Sequence, residues 1–351
     1  MTPPSRLRRR RTTLTDPVEL HGAPLRPFGR GRAVSAFSLG TMRATGSAAQ
    51  MASVLEAALN AGICHLETAP AYGPAETYLG AALRSLAERD AKRHGGLVIT
   101  SKLLPGSTLG DGQAQLRAIL ERLGLRRLDN LAVHGLNQPE HLAWALQGPG
   151  ADLLAWALGE GLVDQVGFSS HGSTSLIEQA LASGRFGFCS LHVHLFDQTR
   201  LPLARSALAA GIGVLAISPA DKGGRLYDPP AELLADCAPF HPLELAYRFL
   251  LDQGISTLSL GAAEPGDLAW AAAINGPSPG LSAAQRAALE QLQQAAASRL
   301  GSERCGQCRA CLPCPNDVPI PELLRLRNLA LGHGMQAFAE ERYNLIGRAG
   351  H

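Results

Sequence analysis

One pattern constrains the fold of this chain more than any other. A short apolar run followed by a longer amphipathic stretch recurs eight times, with apolar runs at residues 36–40, 63–67, 97–102, 130–134, 164–169, 188–194, 213–218 and 257–261. Most of these runs are continuous rather than alternating, as strands of a parallel sheet covered on both faces are. Helix patterns lie between them. Met51, Val54, Leu55, Ala58 and Leu59 share one stripe, and Leu116, Ile119, Leu120 and Leu123 share another. Gly62, Gly161, Gly211 and Gly254 stand just before the next apolar run, where a helix C-terminus favours glycine. Eight such units over roughly 230 residues predict an α/β fold, a (β/α)8 TIM barrel. An open doubly wound sheet would carry a G-x-G-x-x-G turn after its first strand, and Leu39-Gly40-Thr41-Met42-Arg43 has none. Residues 19–35 are expected to form a short hairpin across the barrel floor.

Hydrophobic residues make up 46% of the chain and charged residues 18%, enough to bury a sizeable core. Thirty-two basic against 30 acidic side chains leave a net charge of +2, which argues against a nucleic-acid partner bound on a broad basic face. No apolar run approaches the ~20 residues that cross a bilayer, so no membrane association is expected. Arg6 and Arg8 to Arg11 precede no apolar stretch, and residues 1–18 read as a disordered basic tail rather than a secretory signal. The barrel is expected over 19–280. After the break Asn275-Gly276-Pro277-Ser278-Pro279-Gly280, Ser282 and Gln285 form a capping box for a connecting helix within 281–300. Residues 301–351 form a cysteine-rich module with helices expected at 319–327 and 333–343.

Seven cysteines divide into two groups. Cys64, Cys189 and Cys237 are scattered singly, which suits reduced thiols in the cytoplasm. The other four form the run Cys305-x2-Cys308-x2-Cys311-x2-Cys314-Pro315. It resembles the bacterial ferredoxin run C-x2-C-x2-C-x3-C-P, one residue shorter before the last cysteine. A [4Fe–4S] cluster is the preferred occupant. A four-cysteine zinc site, which normally uses two separated pairs, and a metal-free thiol patch are the alternatives.

In a barrel of this kind chemistry sits at the C-terminal ends of the strands. Strand two ends in Glu67, with Tyr72 in the loop beyond it; strand three ends in Lys102 and strand four in His134. One βα unit separates each from the next, so a carboxylate, a lysine and a histidine stand at equivalent heights. A free phenol is a poor acid near pH 7, and a lysine beside it is expected to lower its pKa. A carboxylate would keep that lysine charged, and histidine could hydrogen-bond a substrate carbonyl. Together they could polarise a C=O and protonate the alkoxide formed by hydride transfer. Any one of these residues alone is more often structural; four at one barrel face favour catalysis.

The motifs resemble those of the aldo-keto reductase superfamily over about residues 25–275. His65-Leu66-Glu67-Thr68-Ala69-Pro70-Ala71-Tyr72-Gly73 with Glu76 is similar to the signature D-T-A-x-x-Y-G-x-(S)-E. Ile99-Thr100-Ser101-Lys102, residues 129–134 and Gly167-Phe168-Ser169-Ser170 fall where the later motifs fall. The resemblance implies Tyr72 as general acid/base, Lys102 as its tuning group and His134 as the carbonyl-orienting group. Glu67 stands in the aspartate position. It further implies nicotinamide contacts at Gly40, Thr41, Met42, Ser169, Ser170 and Ser190, the last where glutamine is common. The loop from Ser218 would straddle the pyrophosphate, with Lys222 available to a phosphate. Ile217 replaces an aromatic residue that often stacks on nicotinamide. After strand eight, Glu264 and Asp267 stand where the family grips a 2′-phosphate with Lys or Arg, so the cofactor is NADP or NAD.

A subgroup of the superfamily carries a C-terminal iron–sulfur domain, often with a second cysteine run. None follows here before His351, so either the chain is cut short or it holds at most one cluster. Cys305, Cys308 and Cys311 are the expected ligands, with Cys314 or an outside group as the fourth. The expected function is NAD(P)-linked hydride transfer to or from a small carbonyl or alcohol substrate. The iron–sulfur module would relay electrons to a partner protein or staple the tail. A non-catalytic, redox-responsive binding barrel is the alternative, favoured by Glu67, Ile217 and the missing phosphate grip.

Overall fold

The computed structural model describes residues 24–221, 224–276, 280–308 and 310–347. Eight strands form a closed barrel in sequence order: β1 (Phe37–Gly40), β2 (His65–Glu67), β3 (Val98–Leu103), β4 (Leu128–Val133), β5 (Val163–Ser170), β6 (Phe188–His192), β7 (Gly213–Ile217) and β8 (Thr257–Gly261). Every adjacent pair is parallel, and β8 closes on β1 with Gly261 opposite Gly40. Each predicted apolar run yields one strand. The limits move by a residue or two, and β6 stops at His192, so His194 belongs to the loop that follows.

Helices cover the outside of the barrel and bury their stripes as the periodicity predicts. Met51, Val54, Leu55, Ala58 and Leu59 are all buried on the helix Ala48–Asn60, which Ser47 caps by accepting the Gln50 amide. The interior is less apolar than the runs suggest. His65 Nε2 lies 2.8 Å from Thr100 Oγ1, Asn130 donates to the same oxygen at 2.9 Å, and Gln165 donates to Asn130 at 2.7 Å. These inward groups join in one hydrogen-bonded chain that Gln165 extends to the Phe28 carbonyl at 3.0 Å, while His65 Nδ1 has no partner among the described residues.

Among the described residues of the expected floor hairpin, pairing is limited to one antiparallel bridge, Arg26 with Val34. Phe28, carried on that turn, packs upward against Val98, Ala132, Phe188 and Leu215 and plugs the barrel. Residues 1–18 and 19–23 lie outside the described residues.

Past the barrel, Ser282 and Gln285 form the predicted capping box of the helix Ala283–Leu300. Helices Ile320–His333 and Gln336–Leu345 follow; the first runs further than expected and stops at Gly334, whose φ of +64° is one that glycine adopts at least cost. These helices dock on the barrel rather than standing apart. Leu326, Leu329 and Phe338 join the main core, and Arg299 pairs with Glu232 and Asp236 of the helix Ala231–Cys237. No helix among the described residues is long and apolar enough to cross a membrane.

Candidate active site

A cavity of about 950 Å³ opens at the C-terminal end of the barrel, and Glu67, Tyr72, Lys102 and His134 all line it. Strand register explains the convergence. Glu67 ends β2 and Lys102 is the last residue but one of its parallel neighbour β3, and Tyr72 follows β2 on the short helical turn Pro70–Tyr72. Lys102 donates to the Tyr72 hydroxyl at 2.7 Å and is ion-paired with Glu67. Its ammonium also sits 4.6 Å from the Tyr72 ring centroid. The His134 ring meets the Tyr72 ring edge-on, with centroids 5.8 Å apart. The additional methylene of Glu67 does not break the lysine contact. Ser259 of β8 donates to the other carboxylate oxygen at 2.8 Å. Gly40 leaves room for this arrangement, because a Cβ there would stand 3.0 Å from Ser259 Oγ.

The electrostatics follow from burial. Burial opposes the Lys102 ammonium, yet Glu67 and Tyr72 outweigh it and raise its pKa. Burial likewise opposes the Glu67 carboxylate, and Lys102 and Ser259 reverse that effect and hold its pKa below the usual value. Tyr72 corrects the sequence expectation. Burial first and the Glu67 carboxylate second outweigh the pull of Lys102, so the phenol pKa is raised rather than lowered. Tyr72 therefore rests as a proton donor. Burial and the neighbouring Lys102 push His134 down to about 4, which leaves a neutral imidazole at pH 7.

The residues assigned to the cofactor divide. Gly40, Met42, Ser169 and Ser218 line the cavity. Thr41, Ser170 and Ser190 do not. The Thr41 hydroxyl bonds the Glu67 carbonyl at 3.2 Å, and the Ser170 hydroxyl bonds the Leu136 carbonyl at 2.6 Å. Ser190 is buried within β6. Lys222 lies outside the described residues. Glu76 is a tie rather than a site group: it accepts from Ser101 at 2.6 Å and from Arg122 at 2.8 Å.

Sequence reasoning assigned no role to Arg43 or Ser259. Arg43 follows Met42 in the β1 exit and packs over Gly261, where a Cβ would lie 3.1 Å from its Cδ. It brings a cation to the β8 exit from another strand. Asp267 is occupied as a helix cap, accepting the Ala263 amide at 2.7 Å. A cation directly after the first strand's Gly40-Thr41-Met42 was the available signal.

The β7 exit loop forms the cavity's far wall, and the backbone at Ser218 and Asp221 has φ values of +53° and +64°. Such conformations persist where surrounding contacts enforce them. The fully buried Asp221 carboxylate meets His194 Nε2 at 3.3 Å and the buried Arg325 guanidinium, from the helix Ile320–His333, at 3.9 Å. On the other side of residues 222–223, Arg225 pairs with Glu341 and stacks over Phe338, both from the helix Gln336–Leu345.

The four clustered cysteines lie between the helices Ala283–Leu300 and Ile320–His333, and none is in a disulfide. Cys308 and Cys311 are exposed; Cys305 and Cys314 are half-buried. Cys305 Sγ accepts from the Gln307 backbone and side-chain amides, each at 3.4 Å. Among the described residues no three of these sulfurs stand within 4.8 Å of one another. A tetrahedral zinc ion with Zn–S near 2.3 Å would draw them to about 3.8 Å apart, closer than any three of them stand here. A four-iron cluster distributes its thiolates over separate irons, and four free thiols with N–H donors on Cys305 suit it in kind.

Similar solved structures include a holo-form aldo-keto reductase from Bacillus halodurans, with TM-score 0.64 and 17% identity over 77% of this chain and 96% of that one. A Bombyx mori aldo-keto reductase in complex with NADP has TM-score 0.60 and 21% identity, covering 77% and 92%. One from Klebsiella pneumoniae in complex with NADP and acetate has TM-score 0.60 and 22% identity, covering 76% and 95%. At these identities the likeness speaks for the fold. No curated protein sequence matches. The aldo/keto reductase family profile matches residues 36–232, more than half of the sequence. With that match over the barrel carrying Glu67, Tyr72, Lys102 and His134, the chain belongs to the aldo/keto reductase family of NAD(P)-dependent oxidoreductases.

Proposed function

We propose that the protein reduces a small carbonyl compound, or oxidises the corresponding alcohol, with Tyr72 as the proton-transferring group. The observation that carries this reading is the chain from buried Glu67 and Lys102 to half-buried Tyr72, opening into one cavity with His134. A bound nicotinamide dinucleotide supplies or accepts the hydride. The chain's own residues handle the proton and the charge. Neutral His134 hydrogen-bonds the carbonyl oxygen and orients it. Tyr72 gives that oxygen its hydroxyl proton as negative charge develops. Lys102 then stabilises the phenolate, and Glu67 keeps Lys102 charged and pointed. In alcohol oxidation the same groups run in reverse.

Gly40, Met42, Ser169, Ser218 and Arg43 would hold the cofactor. Arg43 lines the cavity between Gly224 and Gly261, and its cation would suit a phosphate common to both nicotinamide dinucleotides. NADH and NADPH are therefore expected to bind within ~100-fold of each other, and Arg43→Ala should weaken both. Side-by-side fluorescence titrations at one ionic strength check this. A wider preference for NADPH would place a separate cation on the 2′-phosphate, and failure to bind either would overturn the enzymatic reading in favour of a non-catalytic barrel.

The His134 pKa near 4 sets the pH dependence. Its folded pKa is depressed, so the imidazole stays neutral as pH falls through its ordinary value of about 6.5 and gains charge only near 4. In carbonyl reduction, kcat/KM should stay level between about pH 5 and 7 and fall below that range. An acid limb centred near 6.5 would show that His134 titrates as a solvated histidine.

The cysteine run is read as a [4Fe–4S] site, which would place the chain in the superfamily branch with a C-terminal iron–sulfur module. Cys305, Cys308 and Cys311 are the ligands, and Cys314 or an outside group the fourth. The cluster would supply one-electron transfer or hold the C-terminal segment together. Anaerobic purification should yield a brown protein with about four irons and four sulfides per chain. A colourless protein with stoichiometric zinc would refute this, and retention of the full cluster in Cys314→Ser would move the fourth ligand elsewhere.

A further inference from the structure

We propose that His192, His194 and Asp197 form a binding site for a divalent transition-metal ion, separate from both the Tyr72 cavity and the cysteine run. Their ligand atoms lie within 4.8 Å of one another, the only such grouping of three among the described residues. Local structure produces this convergence. Alternate residues of an extended strand share a face, so His192 at the end of β6 and His194 just past it project together. The chain then turns back on itself. His194 and Asp197 form an antiparallel bridge, with amide-to-carbonyl distances of 3.1 and 3.0 Å, which returns the Asp197 carboxylate to the two imidazoles.

The surroundings suit ligation. Metal-bound histidines characteristically direct their second ring nitrogen to a carboxylate, which fixes the tautomer. His194 Nε2 faces the buried Asp221 carboxylate at 3.3 Å. The Phe196 amide points at His194 Nδ1 from 3.3 Å, which assigns the lone pair to that nitrogen. An ion would take the place of this long contact. Asp197 is itself oriented, accepting from the Thr199 hydroxyl at 2.8 Å and amide at 3.2 Å through Oδ1. Both histidines are buried, and Asp197 alone of the three lines a second cavity of about 650 Å³, so an ion would reach the site from the carboxylate side, where water could complete its shell.

Two imidazoles and one carboxylate favour Zn2+, Co2+, Ni2+ or Fe2+ over Mg2+ or Ca2+, which prefer oxygen. All three ligands come from one turn, so the ion would clamp the β6 exit. His192 lies 6.0 Å, centroid to centroid, from His171 in the catalytic cavity wall, so a clamp here would stiffen that wall without touching Tyr72.

The test uses the full chain, purified anaerobically and titrated with Co2+, which reports its ligands by absorption. One Co2+ per chain is expected, with weak visible bands and no thiolate-to-cobalt charge transfer. His192→Gln and Asp197→Asn should abolish it, Cys308→Ser should retain it, and Asp221→Asn should weaken it by ~10–100-fold. Circular dichroism establishes that the variants fold. X-ray absorption of Co2+-loaded wild-type protein needs no variant and should show imidazole and oxygen neighbours. A sulfur shell, Co2+ loss on Cys308→Ser alone, unchanged binding in folded His192→Gln and Asp197→Asn, or no binding by the wild-type chain would each overturn the proposal. None of these readouts depends on turnover, so the catalytic reading stands or falls separately.

Discussion

Tyr72→Phe is expected to lower carbonyl turnover by roughly 10²–10⁴-fold, the usual contribution of a positioned general acid. The fold should be unaffected. Among the described residues the hydroxyl's hydrogen-bond partner is Lys102, and that ammonium keeps Glu67. The loss should fall on kcat rather than on cofactor affinity, because the phenol's proton is needed only as the alkoxide forms. Steady-state kinetics with a reactive carbonyl panel, alongside nicotinamide titration, separate the two. Near-wild-type turnover in a folded Tyr72→Phe protein would remove Tyr72 from the mechanism.

Lys102→Met should act on stability as well as activity. Lys102 and Glu67 are both buried, and removing one member of such a pair strands the other, typically costing about 3–5 kcal/mol. The stranded Glu67 would escape by taking a proton, with its folded pKa raised above the unfolded value. A raised folded pKa favours the folded state at low pH and loses that contribution as pH rises. The deficit of Lys102→Met should therefore be larger at pH 8 than at pH 5 in urea unfolding. Adding Glu67→Gln should restore part of the stability and none of the activity. A deficit independent of pH would mean that Glu67 finds another cation.

The barrel was legible because its signal is repeated: eight apolar runs separated by helix stripes leave few other topologies. The convergence of Glu67, Tyr72, Lys102 and His134 on one cavity was legible for a related reason, since residues one βα unit apart at strand ends must share a face. Single positions inside a strand end were harder. Thr41 and Ser170 are spent on the carbonyls of Glu67 and Leu136, bonds between separate βα units that no local pattern announces. Arg43 and Ser259 act across the β1–β8 seam, where the first and last strands meet, so linear distance hid them. Alternation within β2, β3, β4 and β5 also hid the His65–Thr100–Asn130–Gln165 network inside runs dominated by outward apolar residues. The Tyr72 pKa needed the full geometry, because its direction depends on how deeply the phenol and the Glu67 charge behind the lysine are buried.

The β7 exit loop is moored on both sides of residues 222–223 by the C-terminal helices, through Asp221 to Arg325 and through Arg225 to Glu341 and Phe338. Thermodynamic linkage makes such an arrangement reciprocal. A ligand that favours the moored loop must tighten the docking of those helices by the same factor, and anything that pulls the helices away must loosen the ligand equally. For such a ligand the helices Ile320–His333 and Gln336–Leu345 would report cavity occupancy. Their rate of protease cleavage, with and without a nicotinamide dinucleotide, reads an event at the mouth of the barrel that needs no substrate to be known.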